Sequence, residues 1–271
     1  MKPVDFDYAR PATVGDAVRL LAASGGAAKL MAGGQTLGPM LNLRFVQPEL
    51  ILDISRIEEL RRVEETADAV VLGACTTHAA IEDGRVPDVT MGMLPRVAAR
   101  IAYRAVRTRG TIGGSLAHAD PAADWVSCLS ALGASVTISG PNGKRVEPVV
   151  GFIKGALQAG IEADEIIDGV KVPRLGRGAR WGYHKICRKT GEFADAIGAV
   201  VIDRGTCCIV AGATTGRPAV VEIPAGDVLE APPPRADIEM MLKAAGLGGD
   251  GYELAVHVAA VQRALVEAMA R

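Results

Sequence analysis

The sequence predicts an α+β chain made of two α/β subdomains followed by a smaller α+β subdomain, and three observations carry that expectation. Helix-period segments alternate with short unbroken apolar runs over roughly the first 175 residues. After the Gly- and Arg-rich run RLGRGARWG the order changes, with strand-like runs first and helical ones last. The 271 residues are 49% hydrophobic, enough for a substantial core. The expected boundaries are 1–175 for the first two subdomains together, divided near 55 into 1–55 and 56–175, and 176–271 for the third.

Taken in order, TVGDAVRLLAASG places apolar residues at helical spacing and stops at glycine. AKLMAGG reads as a short buried strand entering a glycine turn, and ELILDISRI as a second strand, so the opening unit is βαβ-like. LRRVEETADAVVLGACTT reads as a hairpin. A helix starts at Thr77, and helical stretches continue through RVPDVTMGMLPRVAARIA. DWVSCLSALGA reads as a helix, SVTISGPNGKRVEPVV as a hairpin turning at PNG, and DEIIDGVKVP as a strand ended by proline. In the third part RWGYHKICRK, AIGAVVIDR, GTCCIVAGATT and PAVVEIP give three or four strands. The break LEAPPPRAD then leads to helices in IEMMLKAAG and YELAVHVAAVQRALVEAMA.

Charge and composition exclude several classes of function. Thirty basic against 31 acidic residues leave a net charge of −1 and no basic field for nucleic acid, and aromatics at 4% supply few stacking platforms. The N-terminal MKPVDFDYARPATV is too charged for a signal peptide and no apolar run is long enough to span a bilayer, so a cytoplasmic protein without a membrane span is expected. Five scattered cysteines show no metal spacing, so no metal site is expected on this chain; Cys207 and Cys208, in an apolar run, read as buried free thiols.

Two paired-glycine elements carry the chemistry. MAGGQTLGPMLNLR holds Gly33 and Gly34 followed by Gln35 and Thr36; RGTIGGSLAHADPAADW holds Gly113 and Gly114 between Thr111 and Ser115. Paired glycines let successive N–H groups face one concavity, a geometry suited to phosphate oxygens. Either element alone reads as a tight turn with a helix cap; two of them with hydroxyl donors favour a two-sided diphosphate grip. Asp120 reads as charge at a helix start, and His118 is open to a local hydrogen bond or a ligand contact. His78 caps or packs near a helix start, and His257 lies on a face of the last helix. GLGGDG at 246–251 matches a dinucleotide fingerprint only formally: it follows a helix and reads as a C-cap and loop. No GxSxG, P-loop or HExxH occurs.

AGGQTLGPMLNLR and TIGGSLAHADPAAD, with FDYARPATVGDAVRLLA, ALGASVTISGPNGKR, DEIIDGVKVP and YHKICRKTGEFADAIGAVV, resemble the FAD-binding medium subunits of the molybdenum hydroxylases, among them carbon monoxide dehydrogenase, and the FAD domain of xanthine dehydrogenase. The likeness spans nearly the whole chain in order. It implies an FAD-binding fold of the PCMH/vanillyl-alcohol-oxidase type. It also implies an oxidoreductase subunit that takes electrons from [2Fe-2S] clusters on a small iron-sulfur subunit, passes them to an external acceptor, and assembles with a large molybdopterin subunit as a dimer of heterotrimers. Carried over by position, Lys29, Leu30, Ala32, Gly33, Gly34, Gln35, Thr36 and Leu37 lie along the FAD diphosphate and ribitol. Thr111, Gly114, Ser115 and His118 lie opposite, with Asp124 turned toward the cofactor. Ala102 and Ile167 flank the flavin or adenine. Tyr183 and Lys185 lie near the isoalloxazine, where Lys185 would stabilise negative charge on the reduced ring; no catalytic acid or base is assigned. Trp125 and Val126 stand where the family commonly has Leu-Pro, and Glu253 where it has arginine, so packing under that helix and contacts of the last helix are expected to differ. The competing readings are a stand-alone flavin oxidoreductase of the same superfamily and a non-catalytic binding or assembly module.

Overall fold

The computed structural model describes residues 2–271 and contains three main sheets. In the first unit, β1 (Asp7–Ala9) and β2 (Ala28–Met31) both run parallel to a central β3 (Leu50–Asp53). Between them, α1 (Val14–Ala23) is started by Thr13, whose hydroxyl accepts the Asp16 N–H, and buries the stripe Val14, Ala17, Val18 and Leu21. The short α2 (Leu37–Asn42) leads from β2 toward β3. Strand β1 is absent from the sequence expectation: three residues ahead of a proline are too few to show a period.

The second unit begins with β4 (Val63–Glu65) and β5 (Ala69–Gly73). Four short helices follow: α3 (His78–Glu82), α4 (Met93–Ala98), α5 (Arg104–Arg107) and α6 (Ile112–His118). After them come α7 (Asp124–Ala131), β6 (Ser135–Gly140), β7 (Gly143–Pro148), α8 (Val149–Phe152), the small hairpin β8 (Ile153–Gly155) with β9 (Gln158–Ala159), and β10 (Ile166–Pro173). The sheet order is β4-β5-β10-β6-β7, antiparallel throughout. The helical stretch expected over residues 85–102 contracts to the six residues of α4. Gly92 sits ahead of it at φ +90°, and Asp88 accepts hydrogen bonds from Thr90 and Gly92 in a tight turn that replaces a helical one.

The third unit is the antiparallel meander β11 (Arg180–Ile186), β12 (Ala196–Asp203), β13 (Thr206–Gly212) and β14 (Ala219–Pro224). It is followed by α9 (Gly226–Leu229), α10 (Arg235–Ala244) and α11 (Gly251–Met269). Strand period two divides β12 between two cores. Ile197, Ala199 and Val201 join the large core that also holds α7 and the second unit, while Val200 and Ile202 pack under α10 and α11. The long helix comes close to this sheet because β11 and β12 carry glycine where it crosses. A Cβ on Gly182 would meet the Ala264 carbonyl at 1.8 Å, and one on Gly198 the Ala260 carbonyl at 2.3 Å. The 246–251 glycines form the α10–α11 connection, with Gly246 at φ +90° and Asp250 capping α11. Cys207 is fully buried and Cys208 half-buried, and desolvation pushes both thiols up to about 12.

Candidate functional site

The turn after β2 and the N-terminus of α6 approach each other across a cleft of about 630 Å³ between the first and second units. In the first turn, Gly34 adopts φ +71°, which sends the chain from the strand into α2. Among the described residues no acceptor meets the main-chain N–H groups of Gly33, Gly34, Gln35 and Thr36. Four successive donors are thus left for whatever the cleft holds. The Gln35 amide turns back to donate to the Gly33 carbonyl at 3.2 Å, so its main chain is the freer donor.

The second glycine pair does a different job from the one expected. Gly113 donates its N–H to the Ala74 carbonyl, and Gly114 donates to the Thr111 hydroxyl that caps α6, so neither N–H is left for a ligand. What the pair supplies is proximity: a Cβ on Gly113 would meet Ala74 Cβ at 2.5 Å. Gly33 serves the same purpose in the first turn, since a Cβ there would lie 2.0 Å from the Arg109 carbonyl, and the Arg109 guanidinium donates to the Gly33 carbonyl at 3.2 Å. Gly33 therefore closes the first unit against the second, while Gly113 seats α6 on the end of β5 within the second unit. Gly114, by contrast, faces Ala32 across the gap, with Ser115 and His118 following on α6.

The far end of the cleft is closed by the third unit. Asp124, the first residue of α7, is 5% exposed; one carboxylate oxygen accepts the Lys185 ammonium at 2.9 Å and the other the Tyr183 hydroxyl at 2.7 Å. Burial pushes the Asp124 carboxyl up, opposed by Lys185 and by the Tyr183 hydrogen bond, while burial and the neighbouring carboxylate push the Tyr183 phenol well above its usual range. Lys185, itself 6% exposed, reaches the cleft as half of an ion pair. Tyr183 stands beside this pair without reaching the cleft. It lies two residues back along the same face of β11, about 6.6 Å deeper, is fully buried, and supports Asp124 from behind without lining the cleft. Asp120 corrects a sequence expectation. It sits in the turn ahead of α7, where its carboxylate accepts the Ala122 N–H, four residues before the helix begins.

The walls are apolar: Ile167 with Ile166 from β10, and Ile101 with Ala102 from the α4–α5 loop. Ala102 holds φ +41°, and Arg107 fixes this loop by donating to the Ile101 and Ala102 carbonyls while its other side is bidentate on Glu82. Of the seventeen residues expected at a site, all except Tyr183 line this one cleft.

Sequence reasoning missed other lining residues. Met40, Ile54 and Ala74 are apolar positions indistinguishable in sequence from core. The Gly191, Glu192 and Phe193 loop lies 77 residues from the nearest glycine pair, with Phe193 70% exposed at the mouth. His78 packs at the start of α3, whose cap is Thr77, and it also lines the cleft. Its Nδ1 accepts the Trp125 indole N–H at 3.0 Å, and burial, with help from Arg107, lowers its pKa to about 4. Trp125 makes this contact with its indole wholly buried under α3.

Among the described residues no helix is long and apolar enough to cross a membrane, and no cluster of three or more His, Cys, Asp or Glu side chains is placed to hold a metal ion.

Residues 4–175 match the family described as the FAD binding domain in molybdopterin dehydrogenase. The chain is 42% identical over 202 residues to the carbon monoxide dehydrogenase medium chain of Hydrogenophaga pseudoflava, covering 74% of this chain and 70% of that one. It is 33% identical to the nicotine 6-hydroxylase medium subunit of Paenarthrobacter nicotinovorans over the full length of both. A solved carbon monoxide dehydrogenase structure from Hydrogenophaga pseudoflava contains a chain that superposes with a TM-score of 0.86 at 34% identity, covering 100% of this chain and 99% of that one. With its two glycine turns facing one cleft inside the matched region, the chain belongs to the FAD-binding domain family of the molybdopterin dehydrogenases.

Proposed function

We propose that this chain is the FAD-carrying medium subunit of a heterotrimeric molybdenum hydroxylase, working in the cytoplasm within a dimer of heterotrimers. In that complex it receives electrons from [2Fe-2S] clusters on a small subunit and delivers them to an external acceptor, while a large molybdopterin subunit hydroxylates the organic substrate. The observation that carries the reading is the cleft whose first turn presents four unpartnered main-chain donors opposite the capped start of α6.

The residues present suit FAD. The Gly33 to Thr36 N–H groups can bind diphosphate oxygens without a lysine clamp, and Thr36 and Ser115 add neutral donors. Lys29, Leu30 and Leu37 extend the first jaw along the dinucleotide, and Thr111, Gly114 and His118 form the second. Ile101, Ala102, Ile166 and Ile167 exclude water from flat ring surfaces. Bound FAD would supply the ability to accept electrons singly and release them singly or in pairs. Lys185 contributes a charged donor whose orientation is fixed by Asp124, and Tyr183 fixes Asp124 in turn. Because the ammonium is already neutralised by a carboxylate 2.9 Å away, its field at the ring is that of a dipole and falls off faster than that of a free cation.

The test is purification of the native complex. Flavin absorption bands on this chain, with molybdenum and iron on co-purifying subunits, are the expected result. A chain that neither carries nor takes up FAD would leave a non-catalytic binding module, and a lone chain turning over its own substrate would leave the stand-alone oxidoreductase.

A further inference from the structure

Trp125 and His78 meet in the wall between α3 and α7, and the chemistry of that contact dictates what His78 presents to the cleft. An indole N–H can only donate, so the His78 Nδ1 lying 3.0 Å from Trp125 Nε1 is the unprotonated acceptor nitrogen of the ring. The single proton of the neutral imidazole is then on Nε2. That nitrogen emerges beside Gly110, where an added Cβ would lie 2.8 Å from it. The side chain is buried, with the residue 5% exposed, yet it lines the cleft. Among the described residues no acceptor is within hydrogen-bonding geometry of Nε2. Nε2 is not one of the fully buried unpartnered polar atoms, so it is open to the cleft, where a ligand oxygen can take its hydrogen bond in place of water.

The position is next to the junction of the two glycine turns, since the Gly33 backbone abuts Arg109 and Gly110. Resting on the FAD reading above, we propose that His78 is a further binding residue of this cleft, donating from Nε2–H to an acceptor oxygen of the bound dinucleotide, and that Trp125 is the positioning residue that locks the donating tautomer. Burial keeps the ring neutral down to a pKa of about 4, so the donor stays in one protonation state through the physiological range. The arrangement adds a directed donor to the diphosphate and ribityl region without adding charge, in keeping with the uncharged donors of both turns.

The experiment compares FAD uptake by the full-length deflavinated chain, followed by quenching of flavin fluorescence, in wild type, His78→Phe, His78→Gln and Trp125→Phe. It is paired with ¹⁵N NMR of histidine-labelled protein, the His78 signals being assigned by their loss in His78→Gln. Wild type is expected to bind FAD and to show an Nε2-protonated, Nδ1-unprotonated ring at pH 7. His78→Phe is expected to bind about tenfold more weakly, the loss of one directed hydrogen bond. His78→Gln, whose amide nitrogen reaches the Nε2 position, should recover most of that loss. Trp125→Phe, which keeps the bulk and removes the N–H, should weaken binding about threefold and let both tautomers appear. If wild type binds FAD and a folded His78→Phe binds within twofold of it, the His78 assignment is wrong while the FAD reading stands. An Nδ1-protonated or doubly protonated ring at pH 7 overturns the tautomer lock in the same way. If wild type itself takes up no FAD, both the cofactor reading and this proposal fall.

Discussion

Replacing Lys185 by methionine isolates the buried pair at the end of the cleft. The substitution keeps length and apolar bulk but leaves the Asp124 carboxylate, 5% exposed, with only the Tyr183 hydroxyl for company. Leaving one member of a buried pair uncompensated costs about 3–5 kcal/mol. The chain has one escape, which is to protonate Asp124. Relative to an unfolded carboxyl near 3.9, protonation costs about 4 kcal/mol at pH 7 and about 1.5 kcal/mol at pH 5. The direction is fixed by linkage. Burial already raises the folded Asp124 pKa, and removing Lys185, which opposes that rise, moves it further up. The folded state then holds a proton that the unfolded state releases, so stability is greatest at low pH and is lost as pH rises through the folded pKa. Urea unfolding followed by far-UV circular dichroism should therefore find Lys185→Met destabilised by about 4 kcal/mol at pH 7 and by about 1.5 kcal/mol at pH 5. The double variant Lys185→Met/Asp124→Asn, with no charge left to bury, should recover most of the loss at pH 7. A deficit that is the same at both pH values, or that the second substitution deepens, would refute the reasoning.

His78 should show the opposite pH signature. Its folded pKa near 4 lies below the unfolded 6.5, so the stability it contributes is complete above pH 6.5 and is lost as pH falls toward 4. The full loss is about 3 kcal/mol, and His78→Gln should flatten that part of the acid-unfolding curve. Gly113→Ala forces a methyl group to within 2.5 Å of Ala74 Cβ and 2.7 Å of its carbonyl. It should cost about 1–3 kcal/mol, read as a fall in Tm of about 2–4 °C per kcal/mol; an unchanged Tm would mean that α6 does not seat on the end of β5. Ala102→Gly relieves a side chain held at φ +41° and should leave stability equal or higher by up to about 1 kcal/mol in thermal unfolding, since the strain removed outweighs the unfolded-state entropy added; a clear loss would show that the methyl group packs usefully.

Local signals made much of this molecule legible. The α1 stripe, the 135–148 hairpin with its PNG turn, and the strands of the C-terminal meander and its last two helices are each coded locally, by period or by turn chemistry. The four-helix run that ends on the second glycine pair was not. Its helices are four to seven residues long, and Pro87, Gly92 and Pro95 interrupt any period before it can be counted. The site was legible where its residues share a motif and obscure where they are brought together by topology. Nothing near Asp124 in sequence announces Lys185 or Tyr183, about sixty positions away on another sheet. The tautomer of His78 is fixed by a tryptophan 47 residues on. Sequence gives the face of β11 that Tyr183 and Lys185 share but not how far along it the cleft extends, and only Lys185 lines it.

The division of labour inside the glycine pairs bears on how the protein can change over time. Gly33 and Gly113 are held by backbone and small side-chain neighbours that cannot retreat, so drift at those positions is penalised during folding, before any ligand is met. Gly34 and Gly114 stand at the open side, where a variant meets less: left-handed strain at Gly34, with no neighbour nearer than 3.6 Å to its Cβ, and the Thr111 hydroxyl 2.9 Å from a Cβ on Gly114. Drift there is penalised in folding less severely and at loading as well. Adjacent letters of one dipeptide thus carry unequal shares of two selections, and a descendant that abandoned its cofactor would be expected to lose the second glycine of each pair before the first.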